Sequence, residues 1–337
     1  MNRTENRKKL IVVLGMHRSG TSAITCGLQA LGVSLGDHLM PPAGDNGKGF
    51  WEDIDIVALN SEMLAVLGCS WHALRSITDQ DVEFLCAHGY ISKSIQLLNE
   101  KTANAPVFGF KDPRTTKLLP FWKRVFEKSS FDVEYILASR NPLSVVESLG
   151  KRDHFSREKS YMLWLEYTMT ALCAVGSGRA LPVDYDRLIS FPEEELERVS
   201  DWLGLLLIRE EVERYCRDFL EKSLRHTHFD AEHVYADEAA MPLVKEVYAF
   251  LLDLQAGKIR LEDGMMSGLF HEWKGRLDRM QPLLKLIDRQ EIRISSAHEK
   301  IESFERKGQI VSRAVGKIRG LGRRTEFFIR AHFPSVS

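Results

Sequence analysis

The residues that most constrain the fold lie near the N-terminus, at Leu10 to Ser22, reading LIVVLGMHRSGTS. Leu10 to Leu14 is a short apolar run rich in β-branched residues, the pattern of a buried strand. Gly15 and Gly20 bracket a tight loop. Ala23, Ile24, Leu28 and Leu31 then recur at helical spacing, and Gly32 supplies a C-terminal stop. The order strand, Gly-bounded loop, helix aims backbone N–H groups and the positive end of a helix at one point, which suits a phosphate. The loop departs from the GxxxxGK[ST] pattern in one informative respect: no Lys follows Gly20. Arg18 and the hydroxyls of Ser19, Thr21 and Ser22 are the polar groups it offers instead. An ordinary βα turn is the plain alternative.

Composition bounds the class without naming an activity. The chain has 337 residues, 44% hydrophobic and 28% charged, the balance of a globular protein with room for one large domain or two smaller ones. A formal net charge of −1 gives no global attraction to nucleic acid. No apolar run approaches the roughly 18 residues of a membrane span. The start MNRTENRKK leads into the first strand without the apolar core of a signal peptide, which sets a cytoplasmic expectation. Cys26, Cys69, Cys86, Cys173 and Cys216 are scattered and odd in number, and read as reduced, buried thiols.

Further apolar runs extend the pattern. Val107–Lys111 predicts a second strand, stopped at Pro113. Val133–Ser139 predicts a third, followed by Arg140, the N-cap Asn141 and Pro142 at the first helical position. Ala180–Tyr185 predicts a fourth. Helices are expected over Trp51–Leu67, Asp81–Asn99, Leu118–Phe126, Pro142–Leu149, Tyr161–Val175 and Glu193–Leu203, with a loop over Asp37–Phe50. Strands alternating with helices imply an α/β fold with a central parallel sheet covered on both faces. Ligands of such sheets sit at the carboxyl ends of the strands. Those ends here carry Arg18 to Ser22, Lys111 to Arg114, and Arg140, so the simplest ligand is an anion.

Beyond Phe229 the pattern changes. Met241–Met280 reads as helical. From Ile287 a heptad sets Ile287, Ile294 and Ile301 at one position and Ala297, Phe304, Val311 and Ile318 at the other, interrupted at Gly308, which predicts a short, imperfect coiled coil. Arg306–Arg330 holds eight Lys or Arg against Glu326 alone, a net +7. A membrane-surface or self-associating helix and a solvated tail both fit it. The expected division is 8–235, 236–284 and 285–337.

Several of these segments resemble one family, the sulfotransferases that use 3′-phosphoadenosine 5′-phosphosulfate (PAPS), and their bacterial branch in particular. GMHRSGTS at Gly15–Ser22 is similar to that family's 5′-phosphosulfate loop. YILASRNPLSVVESL at Tyr135–Leu149 is similar to its 3′-phosphate element, with Arg140 and Ser148. GFKDPR at Gly109–Arg114 and VDYDRLISFPEEELERVSDWLGL at Val183–Leu205 resemble further segments. The resemblance spans roughly residues 8 to 230 and implies a P-loop-like fold and transfer of a sulfuryl group to a hydroxyl or amine, on a carbohydrate or glycolipid acceptor, without a metal. It implies cofactor contacts from Arg18, Ser19, Gly20, Thr21 and Ser22 to the phosphosulfate and from Arg140 and Ser148 to the 3′-phosphate. Arg225 stands where a basic element closes over the nucleotide in many members, though the RKG form is lacking.

The chemistry needs a cation near the bridging oxygen and a base for the acceptor proton. Arg18 and then Lys111 are the candidate cations. Glu52, at the opening of the helix over Trp51–Leu67, is the candidate base, with Asp53 and His17 behind it. Trp164 and Glu166 are candidates for shaping the acceptor side, with core packing as the alternative for Trp164. His226, His228 and His233 form a sparse group without a familiar metal-ligand spacing. Two other classes remain open: a P-loop kinase or NTPase with Asp112 holding Mg²⁺, and a scaffold that keeps the fold without catalysis.

Overall fold

The structure is a computed structural model that describes residues 7–42, 47–175, 180–220, 229–261 and 266–332. Four strands form one sheet: β1 (Lys9–Leu14), β2 (Val107–Lys111), β3 (Asp132–Ser139) and β4 (Ala180–Asp184). All pairings are parallel and the order is β2-β1-β3-β4, so the most apolar strand lies inside the sheet. The expected central parallel sheet is therefore present. Alternation along β1 explains the two covered faces. Ile11 and Val13 face one core with Ile136, Ala138 and Val183, closed by Ile24, Leu196 and Tyr215. Leu10, Val12 and Leu14 face the other. There Phe110, opposite Val12, meets the ring of Trp122 at 5.8 Å.

The helices follow local chemistry. After β1 come α1 (Thr21–Gly27) and a 3₁₀ turn ending at Gly32. Next are α2 (Ile54–Val66), α3 (Asp79–Ala87) and α4 (Tyr90–Lys101). The helix expected to open at Trp51 starts later. Trp51 is left-handed (φ 56°), Glu52 precedes the helix, and Asp53 caps it by accepting the N–H groups of Asp55 and Ile56. The single helix expected over Asp81–Asn99 is two, because Gly89 at φ 82° breaks it. Between β2 and β3 lie α5 (Pro113–Lys117) and α6 (Leu119–Glu127). Between β3 and β4 lie α7 (Pro142–Asp153) and α8 (Arg157–Val175). Asn141 caps α7 with Pro142 first in the helix, as the sequence predicts.

After β4 come α9 (Tyr185–Ser190), α10 (Pro192–Leu203), α11 (Arg209–Arg214), α12 (Ala231–Ala236), α13 (Pro242–Gln255) and α14 (Met266–His332). The stretch read as helical from Met241 is thus interrupted after Gln255. The chain divides into a unit Met1–Gln281 and a unit Pro282–Ser337. In the second, Ile294, Ile301 and Phe304 are exposed along α14, so the heptad marks an apolar stripe on a helix. Among the described residues no helix is long and apolar enough to cross a membrane. None of the five cysteines is in a disulfide; Cys26 is buried, while the other four are half-buried rather than enclosed.

Candidate functional site

The loop between β1 and α1 is held from three sides. The Thr116 hydroxyl accepts the Gly15 N–H at 2.9 Å and fixes the strand end. Gly20 has φ 81°, and a Cβ there would lie 2.1 Å from the Tyr185 ring, so both backbone and space require glycine. Arg18 is left-handed at φ 69°, a conformation costing a non-glycine residue about 1 kcal/mol or more. Two contacts hold it there. Arg140 donates from a guanidinium NH to the Arg18 carbonyl at 3.1 Å, and Arg18 donates from Nε to the Ser148 hydroxyl at 2.7 Å.

Arg18 is thereby joined in one chain of hydrogen bonds to Arg140 and Ser148, both more than a hundred residues further along the sequence. Ser148 reaches the group through Arg18. Arg140 is buried, its guanidinium stacks 4.5 Å from the Tyr185 ring centroid, and its Nε has no hydrogen-bond partner among the described residues. A buried guanidinium N–H without an acceptor costs on the order of 1–3 kcal/mol, which an arriving anionic oxygen recovers. The backbone donors differ in one place from the expectation: the Ser19 N–H is engaged by the Met16 carbonyl at 3.2 Å. The N–H groups of Thr21 and Ser22 begin the helix, where none has an intrahelical acceptor.

A second cluster stands at the end of β2. Lys111 is not a solvent-facing strand end; its side chain is buried. Its ammonium donates to Glu52 Oε1 at 2.7 Å, to the Ser22 hydroxyl at 3.2 Å and to the Phe50 carbonyl. Arg114 lies 3.8 Å from Glu52 Oε2 and 2.9 Å from Asp112 Oδ1. Asp112 caps α5, accepts from Asn60, and is pushed up to about 6, chiefly by burial. Lys111 thus links the loop, through Ser22, to Glu52. Asp53, the other acid considered, is committed to its helix cap and to Lys101 at 2.8 Å.

His17 lies where the two clusters meet. Its ring is held well below its ordinary pKa, first by burial and then by Arg114, Arg152, Lys111 and Arg18, so it is neutral at pH 7. Its Nε2 is buried without a hydrogen-bond partner among the described residues. The Trp71 ring lies 4.3 Å away and that of Tyr167 6.2 Å away. Of the four cations that act on this ring, Lys111, Arg114 and Arg152 are each paired with an acid, Glu52, Asp112 and Asp153 respectively.

Other candidates fall elsewhere. Trp164 is core, edge-on to Tyr248 at 6.4 Å. Glu166 is fully buried and pairs with Lys117 at 3.3 Å. His233 completes a capping box with Asp230 at the start of α12. Arg225, His226 and His228 lie outside the described residues. Sequence reasoning missed Arg152, Trp71 and Tyr185, which carry no local signature and join the site only through the fold. Arg114 was visible within GFKDPR without a role. A groove of about 930 Å³ between α2 and α4, lined by Asp55, Glu62, Lys93 and Lys101 among others, contains none of the four cations.

A profile described as "Sulfotransferase family" matches residues 11–208. Over 139 residues the chain is 30% identical to a Caenorhabditis briggsae protein named "Putative protein-tyrosine sulfotransferase", covering 39% of this chain and 48% of that protein. The chain thus spans about half the length of that curated relative. Two solved structures are similar. The "Sulfotransferase Domain from the Synechococcus PCC 7002 Olefin Synthase" is 18% identical with a TM-score of 0.42, covering 76% of this chain and 97% of that one. The "Sulfotransferase Domain from the Curacin Biosynthetic Pathway" is 18% identical with a TM-score of 0.39, covering 62% and 77%.

Proposed function

The chain belongs to the sulfotransferase family, and on that premise we propose that it transfers a sulfuryl group from PAPS to a hydroxyl on a carbohydrate or glycolipid acceptor. The observation that carries this reading is the hydrogen-bonded group Arg140, Arg18 and Ser148 at the strand ends, with the buried Arg140 Nε lacking an acceptor among the described residues. A donor with two anionic ends suits basic groups placed in this way. The phosphosulfate lies along the loop, where Arg18 and the Thr21 and Ser22 N–H groups meet it. The 3′-phosphate takes the open donor of Arg140 and the Ser148 hydroxyl. No metal has a part in this reading; positioning and fixed charge supply the catalysis.

Transfer proceeds in line. The acceptor oxygen forms a bond to sulfur while the bond from sulfur to the bridging phosphate oxygen breaks. Negative charge develops on the leaving oxygen, and the Lys111 ammonium meets it there. Glu52 takes the acceptor proton. At rest these two groups neutralise each other at 2.7 Å. Donor binding gives Lys111 a second anion, and the carboxylate is released toward the acceptor. His17, neutral, offers a ring nitrogen to a sulfate oxygen or to the acceptor without adding charge.

The test is a transfer assay with labelled PAPS and a panel of glycans and glycolipids, alongside nucleotide affinity. Binding of adenosine 3′,5′-bisphosphate (PAP), with transfer lost in Arg18→Ala and Arg140→Ala, is expected. Binding of ATP–Mg²⁺ with indifference to PAP would overturn the reading. The kinase alternative has no specific support at Asp112, whose two oxygens are occupied by Arg114 and Asn60.

A further inference from the structure

The donor-facing side of His17 is used by the reading above, but its aromatic neighbours are not. Trp71 lies 4.3 Å from the His17 ring, 5.3 Å from His72 and 5.8 Å from Phe155, and His72 and Phe155 close the triangle at 5.5 Å. The core aromatics Trp122, Trp164 and Tyr161 are fully buried, whereas these three are only half-buried. Two cations border them. The Arg152 guanidinium lies 5.4 Å from the Trp71 centroid, with Asp153 on its Nε at 2.8 Å. The Lys159 ammonium lies 4.2 Å from the Phe155 centroid and 3.4 Å from His72 Nδ1.

This wall is anchored from beneath. Residues 71–75 have no helix or strand to fix them. Lys117, fully buried, donates to the carbonyls of Ala73 at 2.8 Å and Arg75 at 3.0 Å, and the Tyr167 hydroxyl donates to the Trp71 carbonyl at 2.8 Å. A buried ammonium is costly to desolvate, and here it is bonded to the loop that presents Trp71 and His72. An anchored row of half-exposed rings suits the C–H face of a sugar ring. Cations at its border suit a carboxylate on that ring, which a charge-assisted hydrogen bond favours by about 1.5–3 kcal/mol.

We propose that Trp71, His72 and Phe155, with Arg152 and Lys159, form the acceptor subsite, and that it selects a sugar ring bearing a carboxylate. The proposal rests on the sulfotransferase reading and assigns the acceptor side that reading leaves open. The reacting hydroxyl then lies toward His17, between the wall and the donor.

The full chain saturated with PAP is titrated by calorimetry with unsulfated chondroitin disaccharide and with the same disaccharide after reduction of its carboxylate. The acidic form is expected to bind at least about 10-fold more tightly, the fold-change of one charge-assisted hydrogen bond. Lys159→Met is expected to weaken the acidic form about 10-fold while PAP affinity stays within about 2-fold. Phe155→Leu is a milder second variant, expected to weaken the disaccharide with the fold intact. Equal binding of the two disaccharides, no binding of the acidic one, or a Lys159→Met loss that falls on PAP overturns the proposal alone. Failure of the wild type to bind PAP overturns the sulfotransferase reading and this proposal together.

Discussion

Arg18 donates from Nε to the Ser148 hydroxyl at 2.7 Å, and this bond joins the loop after β1 to the helix after β3. The loop residue it holds is left-handed at φ 69°. In the proposed donor complex Ser148 serves both the 3′-phosphate and the loop. Ser148→Ala therefore removes a grip on the donor and a support for Arg18, a loss of about 1.5–3 kcal/mol for a charged hydrogen bond. KM for PAPS is expected to rise at least about 10-fold, with kcat falling as well. Adenosine 5′-phosphosulfate lacks the 3′-phosphate and should feel the change less. Steady-state kinetics with both donors checks this, and equal losses would show that Ser148 serves the loop alone.

Gly20 and Tyr185 constrain each other. A Cβ at Gly20 would sit 2.1 Å from the Tyr185 ring, on a backbone at φ 81°. That ring also stacks on Arg140. Gly20→Ala is expected to displace Tyr185 and with it Arg140. It should lower stability by about 1–3 kcal/mol from the backbone alone and more from the clash, and weaken PAP binding. Adding Tyr185→Ala relieves the clash, so the double variant should regain part of the lost Tm without regaining PAP affinity. Recovery of both would mean that Tyr185 does not position Arg140.

The sheet was legible because its signal is local. Each strand is a short apolar run closed by a turn residue, and the observed bounds differ from the expected ones by a residue at most. The placement of Arg18, Lys111 and Arg140 at strand ends was legible for the same reason. Glu52 stands out in the sequence as a candidate, but its setting does not: a left-handed Trp51 and the Asp53 cap place it before the helix, which starts three residues later than periodicity predicts. Arg152 and Trp71 were invisible as site residues. Each stands in an unremarkable segment, and only the packing of α7 and residues 71–75 beside the loop brings them to His17.

His17 links the site to pH. Its folded pKa lies well below its ordinary 6.5 because of burial and the four cations, so the unfolded chain binds a proton that the folded one refuses. Its contribution is fully present above about pH 6.5 and is lost as pH falls toward the folded value, at about 1.4 kcal/mol per unit. Asp112 acts oppositely: raised from 3.8 to about 6, its contribution is present below 3.8 and lost as pH rises through 6. The comparison must therefore isolate His17. Between pH 7.5 and 5.5 the wild type should lose on the order of 1 kcal/mol more than His17→Gln in urea unfolding. Parallel losses would remove His17 from the acid response. Binding PAP brings negative charge among the same cations, raises the His17 pKa and should be accompanied by proton uptake near pH 6, measurable by calorimetry in two buffers.

The Lys111–Glu52 pair separates catalysis from structure. Both side chains are nearly excluded from water, and Lys111 also holds Ser22 and the Phe50 carbonyl. Lys111→Met leaves a buried carboxylate whose remaining cation among the described residues is Arg114 at 3.8 Å, a loss of about 3–5 kcal/mol. Glu52→Gln keeps the shape and an acceptor oxygen and should cost less stability. In the double variant no charge is stranded, so it should be more stable than Lys111→Met alone, a non-additivity that a double-mutant cycle measures. Activity should not follow stability. If Glu52 takes the acceptor proton, Glu52→Gln lowers kcat by about 10²–10⁴ with little change in KM for PAPS, and the double variant stays inactive however well it folds. A Glu52→Gln enzyme with reduced Tm and full kcat would assign the pair to holding the loop and pass the role of base to another group, His17 first.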